Sequence, residues 1–171
     1  MSPSLFPEEQ LDSPLGYFSA RPGQTLKDGT WTITRKLGWG PRSSTWLVID
    51  KNDLHRALKI LTAAATANPN VKNERYFLLK AMKAIPSDVP ELLETFEEKD
   101  ERGRKHFCLL FRLLGPSAED LRQGNKYHGQ NLPVHIVQKV IGDISNLLAN
   151  LATLNIIHGG KSNYLFHEHS S

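Results

Sequence analysis

Five short stretches of the chain combine β-forming residues with alternating or mostly apolar patterns, which are typical of strands. The stretches that predict strands are residues 31–37, 44–49, 57–61, 92–97 and 106–113. Between the third and the fourth, residues 69–84 place apolar side chains roughly on one side and Lys and Glu elsewhere, which predicts a helix. Strands followed by a mostly helical portion predict an α+β fold.

The strongest pattern lies in residues 133–154, where apolar side chains recur at intervals of three and four. These residues are Val137, Val140, Ile141, Ile144, Leu147, Leu148, Leu151 and Leu154. Such a stripe predicts a helix of about six turns. Ser117, followed by acidic residues, predicts the N-terminus of a shorter helix. Residues 156–158 favour a short strand, and we expect a turn after them.

Residues 1–24 are rich in Pro, Ser and Gly and show no sustained period, so they predict an extended arm. We expect a first domain over residues 25–115. Residues 116–171 would form a second, incomplete one.

Composition and charge exclude several classes of function. Of 171 residues, 39% are hydrophobic and 23% charged, an ordinary globular composition, and the net charge of +3 is scattered rather than clustered. We therefore expect no nucleic-acid partner. No apolar stretch reaches the roughly 20 residues that cross a bilayer, and no signal peptide is evident, so we expect no membrane association. The single thiol, Cys108, lies in an apolar run and predicts a buried residue in a cytoplasmic or nuclear protein.

Three features suggest chemistry. Gly38 and Gly40 are separated by one residue between two predicted strands, which would let a backbone lie close over phosphates, although a plain structural turn has the same pattern. Lys59 interrupts an apolar strand, where its charge needs either a partner or solvent. Glu74, on the following helix, could pair with Lys59 or be an ordinary exposed glutamate.

In this order and spacing the three features resemble the signature set of protein kinases. The likeness is strongest to the kinases of serine/arginine-rich proteins (SR-protein kinases) of fungal type. It is carried by residues 35–40, 57–61, 108–115 and 156–158. The resemblance implies a kinase-like small lobe, a five-stranded antiparallel sheet with one helix, followed by the first helices of an incomplete large lobe. It implies ATP and Mg²⁺ as cofactors.

The resemblance also implies a role for individual residues. Lys59 would reach the phosphates and Glu74 would hold it there. The residues that would contact the nucleotide besides Lys59 are Leu37, Gly38, Gly40, Ser43, Thr45, Ala57, Phe111, Leu113 and Leu165. Residues 112–114 would be the hinge whose backbone reads the adenine edge. Asn163 would bind magnesium.

The catalytic loop departs from the kinase pattern H-x-D-x-K-x-x-N. His158 matches its first position, but Gly160 stands at the place of the catalytic aspartate, and matching Asn163 shortens the loop by two residues. No D-F-G or A-P-E follows before Ser171. We therefore expect a truncated serine/threonine-kinase-like protein that binds ATP and transfers phosphate weakly or not at all.

Two other interpretations stay open. One is a non-catalytic pseudokinase module that binds a protein partner, or a second copy of itself, through the helix 133–154, whose apolar stripe has little chain to cover it. The other is a fragment of an active SR-protein-type kinase.

Overall fold

The helices and strands follow the predicted order in the part of the chain that the computed structural model describes, residues 14–69, 71–124 and 131–157. The strands are β1 Thr25–Leu26, β2 Trp31–Gly40, β3 Ser43–Ile49, β4 His55–Leu61, β5 Leu92–Lys99 and β6 Lys105–Arg112. The helices are α1 Ala63–Ala67, α2 Val71–Ala84, α3 Ala118–Gln123 and α4 Val134–Thr153. The five predicted strands are β2 to β6, and the predicted helices are α2, α3 and α4.

Three local differences from the sequence prediction stand out. The two-residue strand β1 and the short helix α1 carry too little periodicity to be predicted. The strand expected at 156–158 is wrong for residues 156 and 157, which belong to no strand. They follow a helix end fixed by Asn155 in the left-handed region (φ 55°). Residue 158 lies outside the described residues.

The described residues form two compact units. The sheet unit contains residues 14–78 and 91–113, and the helical unit contains residues 79–90 and 114–157.

The strands of the sheet unit pair antiparallel in the order β1-β2-β3-β4-β6-β5. Two hairpin turns share one design, in which an aspartate carboxylate accepts the backbone N–H groups two and four residues on. Asp50 does this at 2.8 and 2.9 Å, and Asp100 at 3.0 and 2.8 Å. The fourth residue of each turn is left-handed, Asp53 with φ 59° and Gly103 with φ 73°. Local side-chain hydrogen bonds thus set both hairpins.

One face of the sheet carries the main apolar core. Its residues are Phe18, Ala20, Leu26, Trp31, Ile33, Trp46, Val48, Leu58, Ile60, Cys108 and Leu110, with Phe96 partly buried against them. Phe18 and Ala20 come from residues 14–24, the described part of the N-terminal arm, which packs on the sheet. Backbone hydrogen bonds from Gly23 N to Ile33 O and from Ile33 N to Gln24 O, at 2.8 and 2.9 Å, fix the arm beside β2. Residues 14–24 of the arm are therefore an integral part of the sheet unit.

A buried polar cluster closes the β5–β6 hairpin. The His106 ring is fully buried, with Nδ1 2.8 Å from Leu61 O and Nε2 3.4 Å from Asp100 Oδ2. Arg104 Nε donates to the same Asp100 oxygen at 2.6 Å. Burial favours the neutral carboxyl, but the hydrogen bonds from the Arg104 side chain and backbone and from His106 outweigh it and lower the pKa of Asp100.

The helical unit has a small core of Ala81, Val89 and Leu151. The Lys80 ammonium donates to Leu154 O at 2.7 Å, which places a cation at the C-terminal end of α4. Asn150 Nδ2 donates to Asp88 Oδ2 at 3.0 Å. Within the described ranges, no helix is both long and apolar enough to cross a bilayer.

The apolar stripe of α4 is exposed over most of its length. Its exposed residues are Val134, Val137, Ile141, Ile144 and Leu148. Ile141 keeps 59% of its surface accessible, whereas Leu151, the next apolar residue on this side after Leu148, keeps 6%. Leu151 thus anchors the C-terminal part of the helix in the core of the helical unit.

Candidate nucleotide-binding site

The predicted glycine loop is a tight hairpin between β2 and β3. Gly38 pairs with Thr45 and Gly40 pairs with Ser43, so the two residues of the turn are Pro41 and Arg42. Neither glycine has a positive φ, and a Cβ added at either would meet no atom within 4 Å. Backbone conformation and internal packing therefore do not require glycine at these positions. Open space beside the backbone is what a bound phosphate group would need.

The side chains that would line the nucleotide lie together on the sheet face opposite the apolar core. Thr45 is the cross-strand partner of Lys59, and Ala57 is the partner of Phe111. Direct partners in antiparallel strands point to the same side, as do residues two apart along one strand. The side chains of all four residues are half-buried, whereas the apolar side chains of their strand neighbours on the core face are buried. The sequence-predicted set is thus brought onto one partly accessible surface.

Lys59 lies at the centre of this surface. Its strand neighbours Leu58 and Ile60 are buried on the core face, and the Lys59 side chain is half-buried on the other. A half-buried ammonium can attract an anion while screening by water is reduced. Glu74 belongs to α2, but its side chain lies outside what the structure describes, so the Lys59–Glu74 pair stays a prediction.

Two further predicted residues flank the surface. Leu37 is exposed and occupies an irregularity in the pairing of β2, between the Lys36–Trp46 and Gly38–Thr45 pairs. Leu113 follows β6 and is half-buried.

The structure restricts the predicted hinge. The backbone N–H of Arg112 donates to Glu91 O at 3.0 Å, and its guanidinium Nε donates to Glu91 Oε2 at 2.6 Å. The Arg112 N–H is therefore engaged within the protein, because β6 ends by bonding to the residue that precedes β5. The rest of the hinge, the carbonyl of residue 112 and the backbone of residues 113 and 114, stays a prediction.

The remaining predicted residues lie outside the described part of the chain. They are Gly160, Asn163 and Leu165. Among the residues that the structure describes, no group of three or more His, Cys, Asp or Glu side chains could hold a metal ion. The magnesium assignment therefore stays a prediction.

Sequence reasoning missed the contacts at the tip of the hairpin. The Tyr17 hydroxyl donates to Gly40 O at 2.8 Å, and the backbone N–H of Thr62 donates to Arg42 O at 2.9 Å. The adjacent aromatic residues at 17 and 18, in an arm otherwise rich in small and polar residues, were the available signal for packing. Nothing local in the sequence indicated which strand they would meet.

The sheet unit, with its glycine hairpin and central lysine, has the architecture of the small lobe of a protein kinase. A solved crystal structure of a kinase domain matches the chain with a TM-score of 0.65 at 23% identity, covering 81% of this chain and 39% of that structure. At this identity the likeness establishes the fold.

Proteins related in sequence indicate which kind of protein kinase the chain resembles. The serine/threonine-protein kinase SRPK of Physarum polycephalum is 33% identical over 124 residues, which cover 70% of this chain and 29% of that protein. The serine/threonine-protein kinase SKY1 of Saccharomyces cerevisiae is 29% identical over 144 residues, covering 78% and 19% respectively. SRSF protein kinase 3 of Mus musculus is 29% identical over 150 residues, covering 84% and 26%. No protein-family model matches the chain.

The chain is therefore related to the protein kinases of SRPK type, which confirms the resemblance seen in its motifs. It spans less than a third of the length of these curated relatives.

Proposed function

We propose that the sheet unit binds ATP, with its phosphates beneath the glycine hairpin and near Lys59. The observation that carries the proposal is the hairpin itself, whose two glycines are required by neither φ nor packing and leave the backbone open. The surface formed by Thr45, Ala57, Lys59 and Phe111 would receive the nucleotide. Relatives named as serine/threonine-protein kinases support this assignment.

The chain's own residues would contribute binding and orientation. Lys59 would neutralise phosphate charge, and the exposed Arg42 at the hairpin turn adds a second cation nearby. The apolar carbons of Ala57 and Phe111 would cover the base and exclude water. Magnesium would supply further charge neutralisation when bound, and the kinase resemblance implies Asn163 as a ligand for it.

We further propose that phosphoryl transfer by this chain is very weak or absent. Gly160 stands where the kinase pattern has an aspartate, and glycine has no side chain to orient a substrate hydroxyl or accept its proton. General-base assistance contributes roughly 10²- to 10⁴-fold in rate. Incorporation of labelled phosphate into an arginine/serine-rich peptide, the substrate type suggested by the name of one relative, would contradict this part.

The binding proposal is tested by thermal unfolding of the full chain with and without Mg-ATP. A ligand at a hundred times its Kd stabilises the folded form by about 2.7 kcal/mol, or roughly 5–11 °C for a chain of this size. Lys59→Ala should remove most of that shift. Lys51→Ala, which deletes the same charge from an exposed turn, is the matched control and should keep it. No shift of the unaltered chain at millimolar Mg-ATP would end the proposal.

The exposed stripe of α4 favours a second function, self-association. The residues Val134, Val137, Ile141, Ile144 and Leu148 alternate in steps of three and four, which is the a/d spacing of a two-helix seam. A second copy of the same helix supplies a face of matching chemistry. We therefore propose a dimer through α4, with a different protein partner as the alternative.

Sedimentation of the full chain tests the dimer. Ile141→Lys places a charge in the centre of the stripe and should convert the dimer to monomer. Asn146→Lys adds the same charge on the opposite side of α4 and should leave the dimer intact. A monomer at every concentration in the unaltered chain would contradict self-association.

A further inference from the structure

The tip of the glycine hairpin is held by hydrogen bonds from two other elements. Tyr17, in the N-terminal arm, donates its hydroxyl to Gly40 O at 2.8 Å. Thr62, the residue before α1, donates its backbone N–H to Arg42 O at 2.9 Å. These acceptors flank Pro41, so the peptide groups on both sides of the turn are tied to the body of the sheet unit.

The tyrosine is itself rigidly placed. Its side chain is 3% exposed, and the next residue, Phe18, lies in the apolar core. On the other side, Gly16 O accepts Ala63 N at 2.8 Å and Leu15 O accepts Ala64 N at 3.3 Å. Because the residues on both sides of Tyr17 are fixed, its hydroxyl can restrain Gly40, whereas a mobile tyrosine would move with the hairpin.

The same segment of the arm is also contacted by a side chain of the β5–β6 hairpin. Gly16 has φ 62°, and a Cβ added to it would lie 2.7 Å from Arg104 Nη1, so the guanidinium packs directly over the glycine. Arg104 is in turn held by Asp100. The arm, the residues at the start of α1 and the glycine hairpin therefore form one hydrogen-bonded cluster.

We propose that Tyr17 is a positioning residue for nucleotide binding, which holds the glycine hairpin in a conformation able to receive phosphates. This inference rests on the proposed ATP site. A restrained hairpin has less conformational freedom to lose when the ligand binds, and affinity rises accordingly. Releasing the hydroxyl loosens the β2 side of the tip, because the Thr62–Arg42 bond and the pairing of Ser43 with Leu61 both hold the β3 side.

The test compares Tyr17→Phe with the unaltered full chain. The substitution removes one oxygen from a buried ring and keeps its apolar contacts, so the variant should fold. Tyr76→Phe makes the same change on an exposed ring of α2 and serves as the control. The first readout is amide hydrogen exchange of residues 38–45 without ligand, and the second is the Kd for Mg-ATP.

We expect faster exchange across residues 38–45 in Tyr17→Phe and a Kd about fivefold higher, the effect of one ordinary hydrogen bond. Tyr76→Phe should change neither. If the unaltered chain binds Mg-ATP but Tyr17→Phe changes neither the exchange nor the Kd, the inference about Tyr17 is overturned and the proposed ATP site is not. If the unaltered chain fails to bind Mg-ATP, the proposed function fails, and the inference fails with it, whatever the exchange data show.

Discussion

Asp100 offers the sharpest single-residue test of how the β5–β6 hairpin is held. Its side chain is 5% exposed. One carboxylate oxygen accepts two backbone N–H groups, and the other accepts Arg104 Nε at 2.6 Å and faces His106 Nε2 at 3.4 Å. In Asp100→Asn an amide NH₂ replaces one of these oxygens. In either orientation the new amide NH₂ faces an existing N–H donor, the backbone N–H groups on one side or Arg104 Nε on the other, so well-formed charge-assisted bonds are lost.

A hydrogen bond to a charged group contributes about 1.5–3 kcal/mol, so we expect Asp100→Asn to lower the free energy of unfolding by about 2–4 kcal/mol at neutral pH. The assay is urea unfolding followed by tryptophan fluorescence, since Trp31, Trp39 and Trp46 all lie in the sheet unit. Asp50→Asn is the matched control: the same turn design is solvent-facing there, and the effect should be much smaller.

The pH dependence follows from the sign of the pKa shift. The pKa of Asp100 lies below its ordinary value of 3.8, so its contribution is complete above that value and is lost as the pH falls through the lower, folded-state pKa. The difference between the unaltered chain and Asp100→Asn should therefore shrink below pH 3.8. A neutral-pH loss under about 0.5 kcal/mol, or one equal to that of Asp50→Asn, would refute the reasoning.

Two further predictions concern backbone and thiol chemistry. Gly103→Ala should destabilise the sheet unit by about 1–2 kcal/mol, because φ is 73° at this residue; no atom lies near an added Cβ, so the cost comes from the backbone conformation. Gly142→Ala, in the exposed middle of α4, should instead stabilise its helix by about 0.5–1 kcal/mol. Changes of the same sign for both variants in urea unfolding would contradict this reasoning. Cys108 is fully buried, and its burial raises the thiol pKa. A thiol reagent should therefore modify Cys108 only when the chain unfolds. Rapid modification of the native chain would contradict the burial of this residue in the core.

Much of the fold could be predicted because its signals are local. The strands β2 to β6 and the helices α2 and α4 carry their own periodicity, and the aspartate turns and the Ser117 cap depend on neighbouring residues. Ser117 forms the expected cap, accepting Asp120 N at 3.0 Å while Asp120 reaches back to Ser117 N at 2.8 Å. The order of glycines and lysine along the chain was enough to indicate the candidate site.

The rest depends on contacts distant in sequence. The arm has no period, so the burial of Tyr17 and Phe18 is decided by the sheet that they pack against. The occupation of the Arg112 N–H by Glu91 likewise arises from strand geometry and has no sequence pattern. The roles of Glu74, Gly160, Asn163 and Leu165 stay predictions.

The claim that the glycine hairpin and Lys59 form a nucleotide site is tested most directly by backbone NMR of the full chain titrated with Mg-ATP. The account predicts saturable shifts concentrated in residues 37–45 and 57–59 and around Leu113, with the arm near Tyr17 responding and the exposed surface of α4 unchanged. Absent shifts, or shifts centred elsewhere in the chain, would contradict it.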